Sequence, residues 1–316
     1  MHQPRRTPPA IALLLGAVLA ALLFAASIER RTEAADRFPN VPLITQDGRT
    51  VRFYDDLLKG KAVVINMIYT SCKDRCPLET AKLAQVQRLL ADHVGKDIFF
   101  YSITIDPEFD SPEVLRAYAE KFHVGPGWLF LTGQRDDITL LQKRLGLYSM
   151  TDAANPDGHQ PSLMIGNEGT GAWMLNSAVD NPRFLATTIR NFLIGWTRDP
   201  ADGRRSYSTA APIAGFGAGG YLFQSKCAAC HTIGGGDRIG PDLSGVTERR
   251  DGRWLRRFIQ RPDQLLAERD PIAMALHAQY NQVQMPNLRL GDADVEALVE
   301  YMTRQANGKP GPARGR

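Results

Sequence analysis

Two pairs of cysteines dominate the chemistry open to this chain. Cys72 and Cys76 stand in Cys72-Lys73-Asp74-Arg75-Cys76-Pro77, Cys227 and Cys230 in Cys227-Ala228-Ala229-Cys230-His231, and the 316-residue sequence has no other cysteine. Four scattered cysteines would suggest structural disulfides, whereas two close pairs suggest two chemical sites. At spacing i, i+4, Cys72 and Cys76 land on one side of a helical turn. A helix N-terminus favours thiolate, which is both a soft metal ligand and a redox nucleophile. The alternative is a plain structural disulfide. A bridge spanning three residues constrains little unfolded-state entropy, so chemistry is favoured over stapling. The Cys72/Cys76 pair can also cycle between dithiol and disulfide.

The second pair, with its histidine, is the attachment motif of c-type haem. Two thiols three apart can form thioethers to both vinyl groups of one porphyrin, and His231 then reaches the iron from one face. Half a zinc site would need a second ligand pair, and no partner Cys-x-x-Cys or His-x-x-x-His follows. Phe223 precedes the motif at the spacing of a packed helix. Ile239-Gly240-Pro241-Asp242-Leu243 follows it as a loop suited to a haem edge, with Pro241 near His231. Residues 215–305 thus resemble a class I cytochrome c domain, which implies one covalent haem c and a sixth iron ligand from a methionine loop. Met285, in Gln284-Met285-Pro286-Asn287 just before the last helix, is the leading choice. Met274 lies in a helix-like stretch and reads as core, and His277 is the rival ligand. A methionine ligand raises the haem potential relative to a second histidine.

The elements that must position these groups alternate along the first two-thirds of the chain. Ala62–Tyr69 is a continuous apolar run of strand length, as in a strand buried on both faces. A helix is expected from Pro77 to His93, then a strand over Ile98–Ile105. Ser111-Pro112-Glu113 opens a helix with Ser111 as N-cap. A third strand at Trp128–Thr132, a helix at Asp136–Leu145, a short strand at Ser162–Ile165 and a helix capped by Asn181-Pro182 follow. This alternation predicts an α/β sandwich around a mixed sheet. Residues 198–214 carry no apolar periodicity and read as a linker. Beyond it come helices and Gly/Pro loops. Val295, Leu298, Val299 and Met302 recur at i, i+3, i+4, i+7 as the core face of the last helix. Gly215-Phe216-Gly217-Ala218-Gly219-Gly220 matches a dinucleotide fingerprint literally. A polar linker rather than a strand precedes it, so these glycines read as a flexible lead-in to a helix.

Residues 40–200 resemble the Sco/SenC family, the thioredoxin-like copper proteins of cytochrome oxidase assembly. The matching stretches are Tyr69-Thr70-Ser71-Cys72 through Cys76-Pro77, Thr104-Ile105-Asp106-Pro107 with Ser111-Pro112-Glu113, Trp128–Gly133, and His159. The resemblance implies one copper bound by Cys72, Cys76 and His159. Thiolates suit Cu(I), and an imidazole helps accept Cu(II). Gly158 stands where family members often carry Asp before the histidine, and Gly166-Asn167-Glu168 replaces an Asp-containing turn; both bear on what supports the ligands. His93 and His123 lie outside the matched motifs and read as ordinary surface or core residues.

The chain is 43% hydrophobic, which excludes a disordered chain, a collagen or a disulfide-stapled miniprotein. Its net charge is +4, with part of the basic excess in the ends, so nothing argues for nucleic-acid binding. Ala10 to Ala26 contains only Ala, Ile, Leu, Gly, Val and Phe. At 1.5 Å per residue it reaches about 26 Å, nearly a ~30 Å hydrocarbon core, and neighbouring residues extend it. Arg5 and Arg6 before it keep the start cytoplasmic. The expected organisation is a cytoplasmic start (1–9), a transmembrane anchor (10–28), a tether (29–38), an α/β thioredoxin-like domain (39–197), a linker (198–214), an all-α cytochrome c domain (215–305) and a basic Pro/Gly tail (306–316). The expected location is a bacterial inner membrane with both domains in the periplasm. The expected function is copper delivery to, or maturation of, the dinuclear copper site of a haem-copper oxidase, the haem supplying electrons. The expected partners are the oxidase copper-site subunit and respiratory electron donors. A haem-fed thiol-disulfide reductase and a simple respiratory electron carrier are the rival readings.

Overall fold

The computed structural model describes residues 38–72, 76–148, 161–195 and 217–306. The expected anchor at 10–28, the loop carrying His159, the linker 198–214 and the tail from 307 lie outside the described residues. Among the described residues, no helix is long and apolar enough to cross a membrane.

The first unit is built on a seven-stranded mixed sheet. In chain order its strands are β1 (Pro42–Thr45), β2 (Thr50–Arg52), β3 (Ala62–Ile68), β4 (Ile98–Thr104), β5 (Trp128–Gly133), β6 (Ser162–Asn167) and β7 (Ala172–Ser177). Their order across the sheet is β2-β1-β5-β4-β3-β6-β7. The β3, β4 and β5 core is parallel, and antiparallel hairpins extend it on both sides. Every residue of β3 is buried, and its alternation feeds two cores. Ala62, Val64 and Ile68 pack on one side, and Val63, Ile65 and Met67 on the other. Helices α1 (Cys76–Leu89), α2 (Pro112–Lys121) and α4 (Pro182–Ile194) cover the first face. A π-helical turn at Phe53–Leu58 and helix α3 (Arg135–Arg144) cover the second. This is the expected thioredoxin-like α/β arrangement, with the Cys72 loop at the C-terminal end of β3.

The caps work as the sequence indicates. Ser111 Oγ accepts from the Val114 amide, and Asn181 Oδ1 accepts from the Arg183 and Phe184 amides. Helix α1 is shorter than expected and ends at Leu89. A turn follows in which Gly95 has a positive φ and its backbone crowds that of Gly127, also at positive φ. Phe38, placed by the sequence at the end of a tether, is instead fully buried, with its ring centroid 4.5 Å from that of Trp173. Strand β7 supplies Trp173, whose ring lies over Gly166 of β6, where a Cβ would fall 1.9 Å from it.

The second unit is helical: α5 (Gly217–Leu222), running on through a π-helical turn at Phe223–Cys227, then α6 (Val246–Arg249), α7 (Gly252–Gln260), α8 (Pro262–Ala267), α9 (Pro271–Gln279) and α10 (Asp292–Ala306). Its core joins Phe223, Leu255, Ile259, Val295, Leu298 and Met302. The glycine run is not a flexible lead-in: it is helical from Gly217, and Gly219 and Gly220 are buried. A Cβ on Gly219 would lie 1.9 Å from the Ala297 carbonyl oxygen, so glycine is what lets α5 cross α10 closely. Tertiary contact here overrides the low helix propensity of glycine.

Candidate functional site

The thiol site forms where β3 gives way to α1. Cys72 closes a turn, its amide donating to Tyr69 O at 3.3 Å, and Cys76 opens α1. The Cys76 amide points at Cys72 Sγ, 3.5 Å away, and both cysteines are buried. The expectation that a helix N-terminus stabilises thiolate fails for Cys76. Its pKa is pushed well above the ordinary thiol value, by burial first and by the neighbouring Cys72 next. Taking an anion out of water outweighs the helix dipole here. A cation at the site reverses that balance, because thiolate is the form that binds metal.

Two buried acids lie near this site, Asp110 bonded to Thr70 before the Cys72 turn and Glu79 on α1. Asp110 is fully buried and accepts from the Thr70 amide at 3.1 Å, from the Thr70 hydroxyl, and from Thr104 Oγ1 at 2.5 Å. It ties the loop carrying Cys72 to the end of β4. Burial raises its pKa against the pull of those hydrogen bonds. The available signal was an acid among Thr70, Thr104 and Ser111, at the ends of adjacent elements. Glu79 is fully buried one turn into α1, close enough to raise the Cys76 pKa. His159 lies outside the described residues. Among those described, no three His, Cys, Asp or Glu side chains come together as a metal cluster.

The second site is an apolar crevice with about 1360 Å³ of space not filled by protein atoms, its open mouth included. Cys227, Cys230, His231, Met285 and His277 all line it. His231 Nδ1 lies 2.9 Å from Pro241 O. A carbonyl only accepts, so Nδ1 carries the proton and Nε2 keeps its lone pair for a metal. Burial lowers the His231 pKa, which favours the neutral, ligating form. Gly240 presses on the ring: a Cβ there would sit 2.6 Å from His231 Cε1. Asp242 holds this loop together, accepting from the amides of Gly234, Gly236 and Ser244 and from Thr232 Oγ1. Those bonds, led by the amides, pull its carboxyl well below the usual range. Burial pushes the Cys227 and Cys230 thiols up to about 12. Met274, expected in the core, is 43% exposed and absent from the crevice, because it lies on the outer face of α9. His277, one turn further, faces in. A greasy, roomy slot with two thiols at one edge and an oriented imidazole fits a porphyrin.

The SCO1/SenC family model matches residues 30–192, more than half of the chain. The chain belongs to the SCO1/SenC family. The cytochrome c family model matches residues 217–305, and a cytochrome c domain implies haem c. An SCO2-like protein of Rickettsia felis is 34% identical over 123 residues, covering 39% of this chain and 57% of that protein. One from Rickettsia conorii is 38% identical over 157 residues, covering 47% and 73%. The chain spans 57% and 54% of the length of the Rickettsia felis and Rickettsia prowazekii relatives. A solved structure of Arabidopsis thaliana ScoI with copper bound aligns at 22% identity and TM-score 0.43, covering 50% of this chain and 99% of that one.

Proposed function

We propose that this chain is a membrane-anchored copper-binding protein acting in copper delivery to, or maturation of, the dinuclear copper site of a haem-copper oxidase, with its haem domain supplying electrons. Copper here is cargo, held by Cys72, Cys76 and His159. Haem c, when bound, supplies a one-electron centre. Cys227 and Cys230 would hold it covalently, and His231 and Met285, which line the same crevice, would ligate its iron. The apolar run 10–28, with Arg5 and Arg6 before it, anchors the chain in a bacterial inner membrane with both domains in the periplasm.

The observation that carries the reading is the burial of Cys72 and Cys76 together at the start of α1, with an amide aimed at the first sulfur. Two soft donors enclosed this way, in a member of the SCO1/SenC family, suit Cu(I). The same burial counts against the thiol-disulfide reductase reading, since exchange requires an accessible thiolate.

Copper titration of the purified, haem-loaded chain tests the proposal. One copper per chain is expected, lost in Cys72→Ser/Cys76→Ser. His159→Ala should weaken Cu(II) more than Cu(I). Equal copper binding by the wild type and the double cysteine variant would reject the site.

A further inference from the structure

Helix α1 is buried on more sides than a sheet can cover. Eleven of its fourteen residues are buried, among them Glu79, Thr80, Lys82 and Gln87. A helix packed on one sheet face normally buries a single stripe. Part of the extra cover comes from the first domain, where Tyr118, Val179 and the Gly125–Pro126 turn bond Thr80, Lys82 and Gln87, and part comes from the haem domain. Ala229 and Ile239 belong to the same apolar cluster as the inner face of α1, and Cys230, Val283 and Leu288 pack against it. Gln85 Nε2 donates to Ala228 O at 3.0 Å and to Ala229 O at 3.1 Å, the two carbonyls between the haem cysteines. Arg238 Nη1 also donates to Ala228 O, at 2.8 Å. Pro77, the residue after Cys76, lines the haem crevice with Cys230 and His231.

We infer that the haem domain is docked on α1 rather than only tethered to it, with Gln85 as the lock, so that the Cys76–Pro77 peptide is the wall shared by the thiol site and the haem crevice. The role of this contact rests on the proposed function. It serves a one-electron exchange in which ferrous haem iron loses an electron and thiol-held cupric ion gains it, with no bond or proton moved. A tether of about 17 residues acting as a flexible coil would hold only its own ends at roughly 20–25 Å and leave the two centres randomly oriented. Docking removes that search. Gln85 touches neither centre, so it is a positioning residue.

The test uses the haem-loaded full chain and has a readout independent of copper. Leu89, 52% exposed at the end of α1, lines a crevice together with Gln224 and Ser225 of the haem domain, next to Lys226. Leu89→Lys supplies an exposed amine. An amine-reactive cross-linker, mapped by peptide mass spectrometry, should join the introduced amine to Lys226 in preference to Lys96 and Lys121 of its own domain. Adding Gln85→Glu sets a carboxylate against two carbonyls and removes two hydrogen bonds. It should cut that product by about tenfold or more while haem staining and helical content stay unchanged. Arg238→Ala should reduce it less. Haem oxidation by added Cu(II) should be independent of protein concentration in the wild type and become concentration-dependent with Gln85→Glu. Cross-links spread evenly over the lysines of the wild type would overturn the docking. A preferred Lys226 product that survives both substitutions would overturn the lock. If the chain takes up no copper but the cross-link result holds, the docking stands and the proposed function falls.

Discussion

Gly240→Ala tests whether the loop after the haem motif is shaped around the proximal histidine. The new methyl carbon would lie 2.6 Å from His231 Cε1, 3.0 Å from Nδ1 and 3.3 Å from Nε2. The first distance is far inside van der Waals contact, so the ring or the loop must move. The ring cannot move alone, because its Nδ1 is held by the carbonyl of Pro241, the next residue of the same loop. Overpacking of this kind costs about 1–3 kcal/mol. Losing the Nδ1–H···O bond adds about 1 kcal/mol. For a domain of under 100 residues, each kcal/mol lowers the melting temperature by roughly 4–8 °C, so the combined cost of about 2–4 kcal/mol predicts a fall on the order of 8–32 °C. The assay is a thermal melt of the haem-loaded chain followed at the Soret band, with the ferric spectrum recorded below the transition to report axial ligation. The weakened imidazole should also increase ligand exchange at the iron. A melt within about a degree of wild type, with an unchanged ferric spectrum, would refute the claim that glycine is required by the histidine.

Gly219→Ala should be at least as damaging, since its Cβ would meet backbone, Ala297 O at 1.9 Å, and helices α5 and α10 would have to part. A loss of about 3 kcal/mol in the denaturant transition of the haem domain, with the first domain unaffected, is the expected result. Asp110→Ala removes the acceptor for Thr70 and Thr104 inside the core and should cost about 1–3 kcal/mol in urea unfolding. It should also weaken copper binding through the displaced Cys72 loop, and Asp110→Asn should retain part of both. Met285→Ala should abolish the far-red charge-transfer band of methionine-ligated ferric haem, while Met274→Ala, on the outside of α9, should leave it intact.

What the sequence made legible were features whose signal is local. The apolar runs of β3, β4 and β5, the Ser111 and Asn181 caps, and the stripe of the last helix each announce themselves within a dozen residues. The Cys-x-x-Cys-His motif and its Pro241 loop were legible for the same reason. Strands β1 and β2 were not, because they are only four and three residues long, and β7 was not, because its apolar stretch Ala172–Leu175 is too brief for periodicity to tell a strand from another element. Phe38 looked like part of a polar tether because its partner, Trp173, is over a hundred residues away. Asp110 and Glu79 were invisible as site residues because an acid beside a helix start usually reads as capping or dipole compensation. Only the tertiary fold reveals that both are buried, Asp110 bonded to Thr70 and Glu79 close to Cys76.

Helix α1 carries the same lesson at the level of domains. Its sequence, Cys76-Pro77-Leu78-Glu79-Thr80-Ala81-Lys82-Leu83-Ala84-Gln85-Val86-Gln87-Arg88-Leu89, has no clean apolar stripe, and on its own predicts a helix with a wet outer face. The polar residues on that face are nevertheless used up: Lys82 donates to Val179 O, Gln87 bonds Gly125 and Pro126, and Gln85 reaches across to the haem motif. Buried polar groups persist only when they are partnered. Lys82 and Gln87 are thus held by segments of the first domain and Gln85 by the haem domain, so α1 is covered from both. Over Gln85 the outer layer is the haem-attachment segment itself. One helix thus carries a thiol of the first site at its first residue and the Gln85 contact with the haem motif two and a half turns later, which places both sites on a common element.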